Sequence, residues 1–202
     1  MRERRPRWVF DGFIAGIGTA SGARLVLGCW PRSPFGHFSD VMVERADGHR
    51  VLLAPDREKA RFIADTYGFD EVRVEPVLAR AAAGLWSVSA PSLRLDFTTG
   101  GRGALGLLLS AVPRPLAVHP AWIAAVDRPA RLLRGVRTHG SAGGGRHEWY
   151  GARDLRRIDY ASAVFDGENL GALADLTPPV RFGFGSTPRR PCVVRVTTTV
   201  AG

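Results

Sequence analysis

The sequence predicts a mainly β, α+β fold: a curved antiparallel sheet or β-barrel-like single domain with two or three short helices packed on it. Two observations support this prediction. About ten short segments alternate apolar and polar residues with a period of two, as half-buried strands do. The regular alternation of strands and helices that a doubly wound parallel sheet requires is missing. We therefore expect a basic, flexible arm at residues 1–7 and one β-rich domain at residues 8–202.

The first half of the chain is predicted to contain two hairpins and one helix. The first hairpin turns at residues 19–22, and the second turns at Asp47-Gly48, where glycine supplies the positive φ that a tight turn needs. A helix is predicted after Asp56, a suitable N-cap, and it ends at Gly68. The strands predicted for this half are residues 8–17, 24–30, 38–45, 50–54, 71–77, 84–90 and 93–99.

The second half is predicted to contain two short apolar helices and the remaining strands. The helix at Gly103–Val112 is bounded by Pro113, and the helix at His119–Val126 has Pro120 near its first turn. The strands predicted for this half are residues 135–139, 146–150, 155–165, 180–184 and 193–200.

Glycines at positions 16, 18 and 22 raise the question of a dinucleotide-binding loop. The G-x-G-x-x-G fingerprint needs its third glycine at position 21, where Ser21 stands instead. The helix that must follow the fingerprint is also absent, because Arg24–Trp30 alternates like a strand. This stretch therefore predicts a turn between two strands.

Charge and cysteine content narrow the possible functions. The formal net charge is +9, and Lys59 is the sole lysine among 28 basic residues, so arginines supply an excess positive charge that attracts anions. Cys29 and Cys192 are too far apart in sequence for a metal-ligand spacing, and we expect two buried free thiols. No apolar run approaches the roughly 20 residues of a membrane span, and no secretory signal is evident. We therefore expect a soluble, cytoplasmic protein.

The densest polar stretch, Thr138–Asp154, supplies most of the candidate functional residues. Arg146 and Arg153, together with Arg181 further along the chain, are the candidate ligand-binding residues, since a guanidinium binds carboxylate or phosphate with two parallel hydrogen bonds. In the same stretch His147 and Glu148 are candidates for acid–base catalysis, and Tyr150 is a candidate for hydrogen bonding to a substrate.

No metal site and no cofactor are predicted from this stretch. His139 and His147 flank the glycine-rich loop, but a zinc site needs at least three ligands that converge. In a strand, His147 and Glu148 point to opposite faces.

The segment His147-Glu148-Trp149-Tyr150-Gly151 resembles the Arg-Glu-x-aromatic-Gly segment of acetoacetate decarboxylases. The resemblance implies the cone-like β-barrel of that family. In the family this segment precedes a lysine pair that forms a Schiff base with the substrate. Here Ala152, Arg153 and Asp154 follow, and the sole lysine lies elsewhere, so the resemblance does not extend to that reaction.

Three functions remain open at the level of sequence. The first is a β-barrel-like domain that binds a small, partly apolar anion in its cavity, with catalysis undecided; a solid barrel filled with side chains would refute it. The second is polyanion or nucleic-acid binding through arginine clusters, including the N-terminal arm. The third is a non-enzymatic interaction protein that pairs through a sheet edge.

Overall fold

The chain folds into an open, strongly curled sheet that forms a half-barrel. The computed structural model describes residues 6–119, 121–125, 127, 137–141, 143–182 and 187–202. Its strands are β1 (Arg7–Thr19), β2 (Arg24–Arg32), β3 (Phe38–Glu44), β4 (Arg50–Ala54), β5 (Glu71–Val74), β6 (Leu78–Ala82), β7 (Leu85–Ala90), β8 (Leu93–Thr99), β9 (His139–Ser141), β10 (His147–Phe165), β11 (Glu168–Asn169), β12 (Leu173–Ala174) and β13 (Cys192–Ala201).

The main path of the sheet runs β5-β4-β3-β2-β1-β13-β10-β8-β7-β6, with β9 and β11 paired to β10 and β12 paired to β1. Neighbouring strands are antiparallel, as predicted, apart from β4 and β5. These two run parallel because helix α1 (Arg57–Ala64) connects them as a crossover. The mainly β fold class predicted from the sequence is therefore confirmed.

The short helices include α1, α2 (Ala104–Ala111) and α3 (Arg114–Ala117). The predicted N-cap of α1 is confirmed, since the Asp56 carboxylate accepts a hydrogen bond from the Lys59 backbone at 3.0 Å. Residues 121–125 are also helical, in agreement with the helix predicted there. Helix α3 was not expected from the sequence. None of the helices in the described ranges has the length and apolar character needed to cross a bilayer.

Several strand boundaries differ from the prediction. The strands expected at 146–150 and 155–165 are one continuous strand, β10. The strand expected at 71–77 ends at Val74, and the next strand, β6, was missed. Residues 180–182 and 137–138 are not strand, while 183–184 and 135–136 lie outside the described residues. Residues 1–5 of the predicted arm also lie outside them, and Arg7 already pairs with Ala201.

The sheet buries apolar side chains on both faces. One cluster joins side chains from β1 to β4 with side chains from β7, β8 and β10, so it fills the concave side of the half-barrel; it includes Ile17, Leu25, Leu53, Leu95 and Phe97. A second cluster packs α1 against the convex face of β1 to β4 and β13. Cys29 and Cys192 are both buried thiols outside any disulfide, as predicted. The middle of the half-barrel is therefore solid, so the expectation of a ligand cavity inside the barrel is wrong for the described residues. An accessible site must lie at an end or a rim.

Candidate functional site

A cleft of about 270 Å³ opens on the concave face beyond the filled core. Its apolar floor consists of Phe13, Trp86 and Val193. The rings of Phe13 and Trp86 pack edge to face, with their centroids 5.4 Å apart, and Trp86 stacks on buried Phe97. The floor is thus fixed by the core beneath it. The volume lies just below the usual range for ligand pockets and suits only a small molecule.

Positive charge surrounds this floor. Arg195 lies opposite Phe13 across β1 and β13, and its guanidinium is 5.6 Å from the ring centroid. Among the described residues, no carboxylate lies within ion-pair distance of Arg195. Asp154, the one acidic residue among the described residues that line the cleft, is shared by Arg102 at 2.8 Å and Arg156 at 3.6 Å. The cleft therefore combines an apolar floor with the Arg195 guanidinium, whose N–H groups have no carboxylate partner among the described residues.

Next to the cleft, on the same face, three arginines share one carboxylate. Asp11 accepts hydrogen bonds from Arg153 at 2.6 Å, Arg114 at 2.8 Å and Arg32 at 3.2 Å. We call these four residues the Asp11 cluster. Burial lowers the pKa of Arg153, the Asp11 carboxylate opposes that shift, and the charges of Arg195 and Arg114 add to it. The cluster therefore holds more positive charge than its single carboxylate balances.

Two β-bulges aim the arginines at Asp11. In β10, Arg153 is the extra residue between Ala152 and Asp154, whose partners on β13 are consecutive. In β2, Trp30 and Pro31 stand opposite the single residue Gly12 of β1, immediately before Arg32. Proline lacks an N–H for the ladder and is commonly found at such irregularities. Bulges redirect side chains, so both arginines reach a carboxylate that regular alternation would not give them.

Gly151 allows α3 to deliver the third arginine. A Cβ at this position would lie 2.7 Å from the Ala117 carbonyl oxygen, so only glycine lets α3 approach the sheet this closely. Arg114 is the first residue of α3 and reaches Asp11 from there. The cluster thus joins three parts of the chain that are distant in sequence.

The catalytic candidates separate onto two faces, as alternation in a strand requires. Glu148 and Tyr150 lie on the convex face with Tyr67, a residue that follows α1. The Tyr67 hydroxyl is 2.9 Å from one oxygen of Glu148 and 3.0 Å from the other, and the Tyr150 hydroxyl is 3.1 Å from the second oxygen. Burial raises the pKa of Glu148 to about 7, although the tyrosine hydrogen bonds and the Arg146 charge oppose the shift. This carboxyl is 1% exposed and joins the α1 region to the sheet.

His147 lies on the opposite face, among other aromatic side chains. Its ring is 6.2 Å from that of His139 and 4.9 Å from that of Trp149. Ser141 lies 3.4 Å from its Nδ1 atom. His147 therefore shares no hydrogen bond with Glu148 or Tyr150. Across the part of the chain that the structure describes, no three His, Cys, Asp or Glu side chains are grouped to hold a metal ion.

The three candidate ligand-binding arginines do not share one site. Arg146 donates to the Phe62 carbonyl oxygen at 2.8 Å and lies over the Phe62 ring at the end of α1. Arg181 binds the buried Glu44 carboxylate at 2.9 Å. Only Arg153 belongs to the Asp11 cluster. As ligand contacts, all three stay predictions.

Sequence reasoning missed three residues of these sites. Arg195 stands in a predicted strand, and only the register Phe13↔Arg195 places it over the ring. Asp11 was read simply as a strand residue, although a charged side chain among apolar ones is a signal of a specific partner. Tyr67 lies just before Gly68 in the stretch predicted as a helix, and a helical pattern does not reveal the contact of its hydroxyl with Glu148.

Comparison with known proteins finds similarity in fold and none in sequence. No family model matches the chain, and no curated protein matches it in sequence. The crystal structure of acetoacetate decarboxylase from Legionella pneumophila is similar to this fold, with a TM-score of 0.46 and 8% sequence identity. The alignment covers 98% of this chain and 85% of that one.

Proposed function

We propose that the protein binds a small, partly apolar monoanion, such as a carboxylate, in the concave cleft. The observation that carries the proposal is the pairing of Arg195 with Phe13. The guanidinium sits over an aromatic ring, has no carboxylate partner among the described residues and borders an apolar floor. Sites of this kind use an apolar lining for affinity and a few polar groups for orientation. The apolar part of the ligand would cover Phe13 and Trp86, and its carboxylate would accept hydrogen bonds from Arg195.

The charge pattern of the rim supports an anion in preference to a neutral ligand. Arg156 lies 3.6 Å from Asp154, while Arg102 takes the shorter contact with that carboxylate at 2.8 Å. Arg156 therefore retains donors for a second partner. A ligand carboxylate would complete the coordination of Arg195 and Arg156 together, and charge-assisted hydrogen bonds of this type are about twice as strong as neutral ones.

Calorimetric titration with benzoate, hexanoate and chloride tests this proposal. We expect benzoate and hexanoate to bind to the wild-type protein and chloride at equal ionic strength not to compete. The variant Arg195→Ala should weaken carboxylate binding at least about tenfold, the usual size of a lost charge-assisted hydrogen bond. Arg94→Ala is the matched control, because Arg94 is an exposed strand arginine outside the cleft.

Two results would overturn the proposal. One is the absence of carboxylate binding at millimolar concentration, and the other is equal affinity in the wild type and Arg195→Ala. If the protein binds short DNA only at low salt and does not bind small carboxylates, the polyanion hypothesis is favoured instead. A reaction is not assigned to the cleft, because neither acid–base candidate lines it. Glu148 lies on the convex face with Tyr150, and the ring of His147 lies beside those of His139 and Trp149.

A further inference from the structure

The Asp11 cluster carries an unbalanced charge at a partly open position. Three guanidinium groups share one carboxylate, which leaves a formal surplus of two positive charges. The side chains of Asp11 and Arg153 are 10% and 12% exposed, whereas those of Arg32 and Arg114 are 66% and 60% exposed. The buried pair therefore forms the floor of the cluster, and the two exposed arginines form its rim.

Two polar groups, one in the cluster and one beside it, lack hydrogen-bond partners among the described residues. The Nε atom of Arg153 is buried and makes no hydrogen bond with any described residue. Thr197, which lies opposite Asp11 on β13, is 6% exposed, and its hydroxyl oxygen is likewise buried without a partner. Each exposed arginine uses a single terminal nitrogen on Asp11. Because a guanidinium has five N–H donors, most of the donors on the rim remain available.

We infer that the Asp11 cluster is a binding site for a small dianion of the phosphate type, either free phosphate or a phosphate monoester. Two negative charges match the surplus of the cluster. A tetrahedral oxyanion offers several equivalent oxygens, so it accepts hydrogen bonds from Arg32 and Arg114 together while it lies above the charge of Arg153. Asp11 holds the arginines in place before the dianion arrives and competes with it for their donors.

This site is separate from the proposed carboxylate cleft, although both lie on the concave face. Phe13 and Arg195 of the cleft are two residues away along β1 and β13 from Asp11 and Thr197. Arg195 makes no ion pair with Asp11, whose partners are the three cluster arginines. Each proposal can therefore fail without the other.

Titration with inorganic phosphate at pH 8, in buffer of constant ionic strength, is the first experiment. The double variant Arg32→Ala/Arg114→Ala should weaken phosphate binding at least about tenfold, because both rim donors are lost. Asp11→Asn should strengthen it about tenfold, since the competing negative charge is removed and an isosteric amide remains. Arg189→Ala is the matched control, as Arg189 is an exposed arginine paired with a different carboxylate, Asp175.

Two further arms identify the ligand class and separate the two proposals. Glycerol 3-phosphate that binds more tightly than phosphate indicates a phosphate ester as the ligand, and equal binding indicates free phosphate. Arg195→Ala should lower phosphate affinity less than the double variant does, because Arg195 acts on the cluster only through its charge and makes no ion pair with Asp11. The same variant should lose benzoate binding.

Three results would overturn the inference: no phosphate binding by the wild type at millimolar concentration, unchanged affinity in the double variant, or weaker binding in a folded Asp11→Asn protein. If Asp11→Asn fails to fold, the double variant decides alone, because its substitutions lie at exposed side chains. The wild type could instead bind short DNA and no phosphate, with DNA binding lost in the double variant. This result would assign the cluster to a polyanion.

Discussion

Replacing Glu148 with glutamine should change how the stability of the protein depends on pH. Glu148 is buried on the convex face, with the hydroxyls of Tyr67 and Tyr150 on its oxygens and the charge of Arg146 nearby. Burial raises its pKa from 4.5 to about 7. Between these two values the folded protein holds a proton on Glu148 that the unfolded chain has released. The free energy of unfolding therefore falls as pH rises through this window.

The size of this effect follows from the pKa difference. One pKa unit corresponds to about 1.4 kcal/mol, so a rise from 4.5 to about 7 gives a contribution of about 3 kcal/mol. This contribution is fully present below pH 4.5 and is lost above pH 7. Glutamine stays neutral and keeps hydrogen bonds to both tyrosines. Glu148→Gln should thus match the wild type near pH 4.5 and be more stable by about 3 kcal/mol at pH 8.

Urea unfolding of both proteins at several pH values from 4.5 to 8 measures this difference. The difference between the two curves cancels titrations that they share, including that of Asp40, whose pKa burial also raises to about 7. Asp40→Asn is the matched control and should remove a separate part of the pH dependence. Parallel curves for the wild type and Glu148→Gln across this range would refute the assignment of a raised pKa to Glu148.

Two further substitutions test the packing of the helices. Gly106→Ala in α2 should destabilise the protein by roughly 1–3 kcal/mol, because the new Cβ would lie 2.1 Å from the Leu155 carbonyl oxygen. Gly101→Ala, with no atom within 4 Å of its Cβ, is the control, and equal melting temperatures for the two variants would contradict the close approach of α2.

Asp56→Ala should lower the free energy of unfolding by about 1 kcal/mol through loss of the α1 cap, as measured by urea unfolding. Asp56→Asn should cost less, because the amide oxygen still accepts from the Lys59 backbone; an equal cost would show that the ion pair with Lys59 matters more than the cap.

The parts of the fold that the sequence predicts well depend on short-range signals. The turn at 19–22 and the Asp56 cap each follow from a few neighbouring residues, and both are present. The strand β10 was divided in two because the bulge at Arg153 shifts the apolar alternation by one residue. The parallel pairing of β4 with β5 depends on where α1 packs, which no local pattern records.

The candidate site was less predictable, since its residues meet only through strand register. Arg153 was selected from the sequence, but its partner Asp11 lies 142 positions away. Glu148 and Tyr150 were selected together and do share a hydrogen-bonded group, because residues two apart in a strand face the same side. Arg146 and Arg181, selected as ligand-binding residues, contact the Phe62 carbonyl oxygen and the Glu44 carboxylate at separate places in the fold.

The distribution of charge indicates that an anion binds at the concave end. Elsewhere many arginines pair with carboxylates on the surface, as Arg50 does with Asp70. At the concave end, six arginines have two carboxylates as ion-pair partners among the described residues, which leaves four of the chain's nine surplus positive charges in one region. The arginines are Arg32, Arg102, Arg114, Arg153, Arg156 and Arg195. Like charges held this close repel one another, and a bound anion relieves that repulsion. A protein that only needed solubility would gain more from spreading these charges, so their concentration beside an apolar floor favours a ligand.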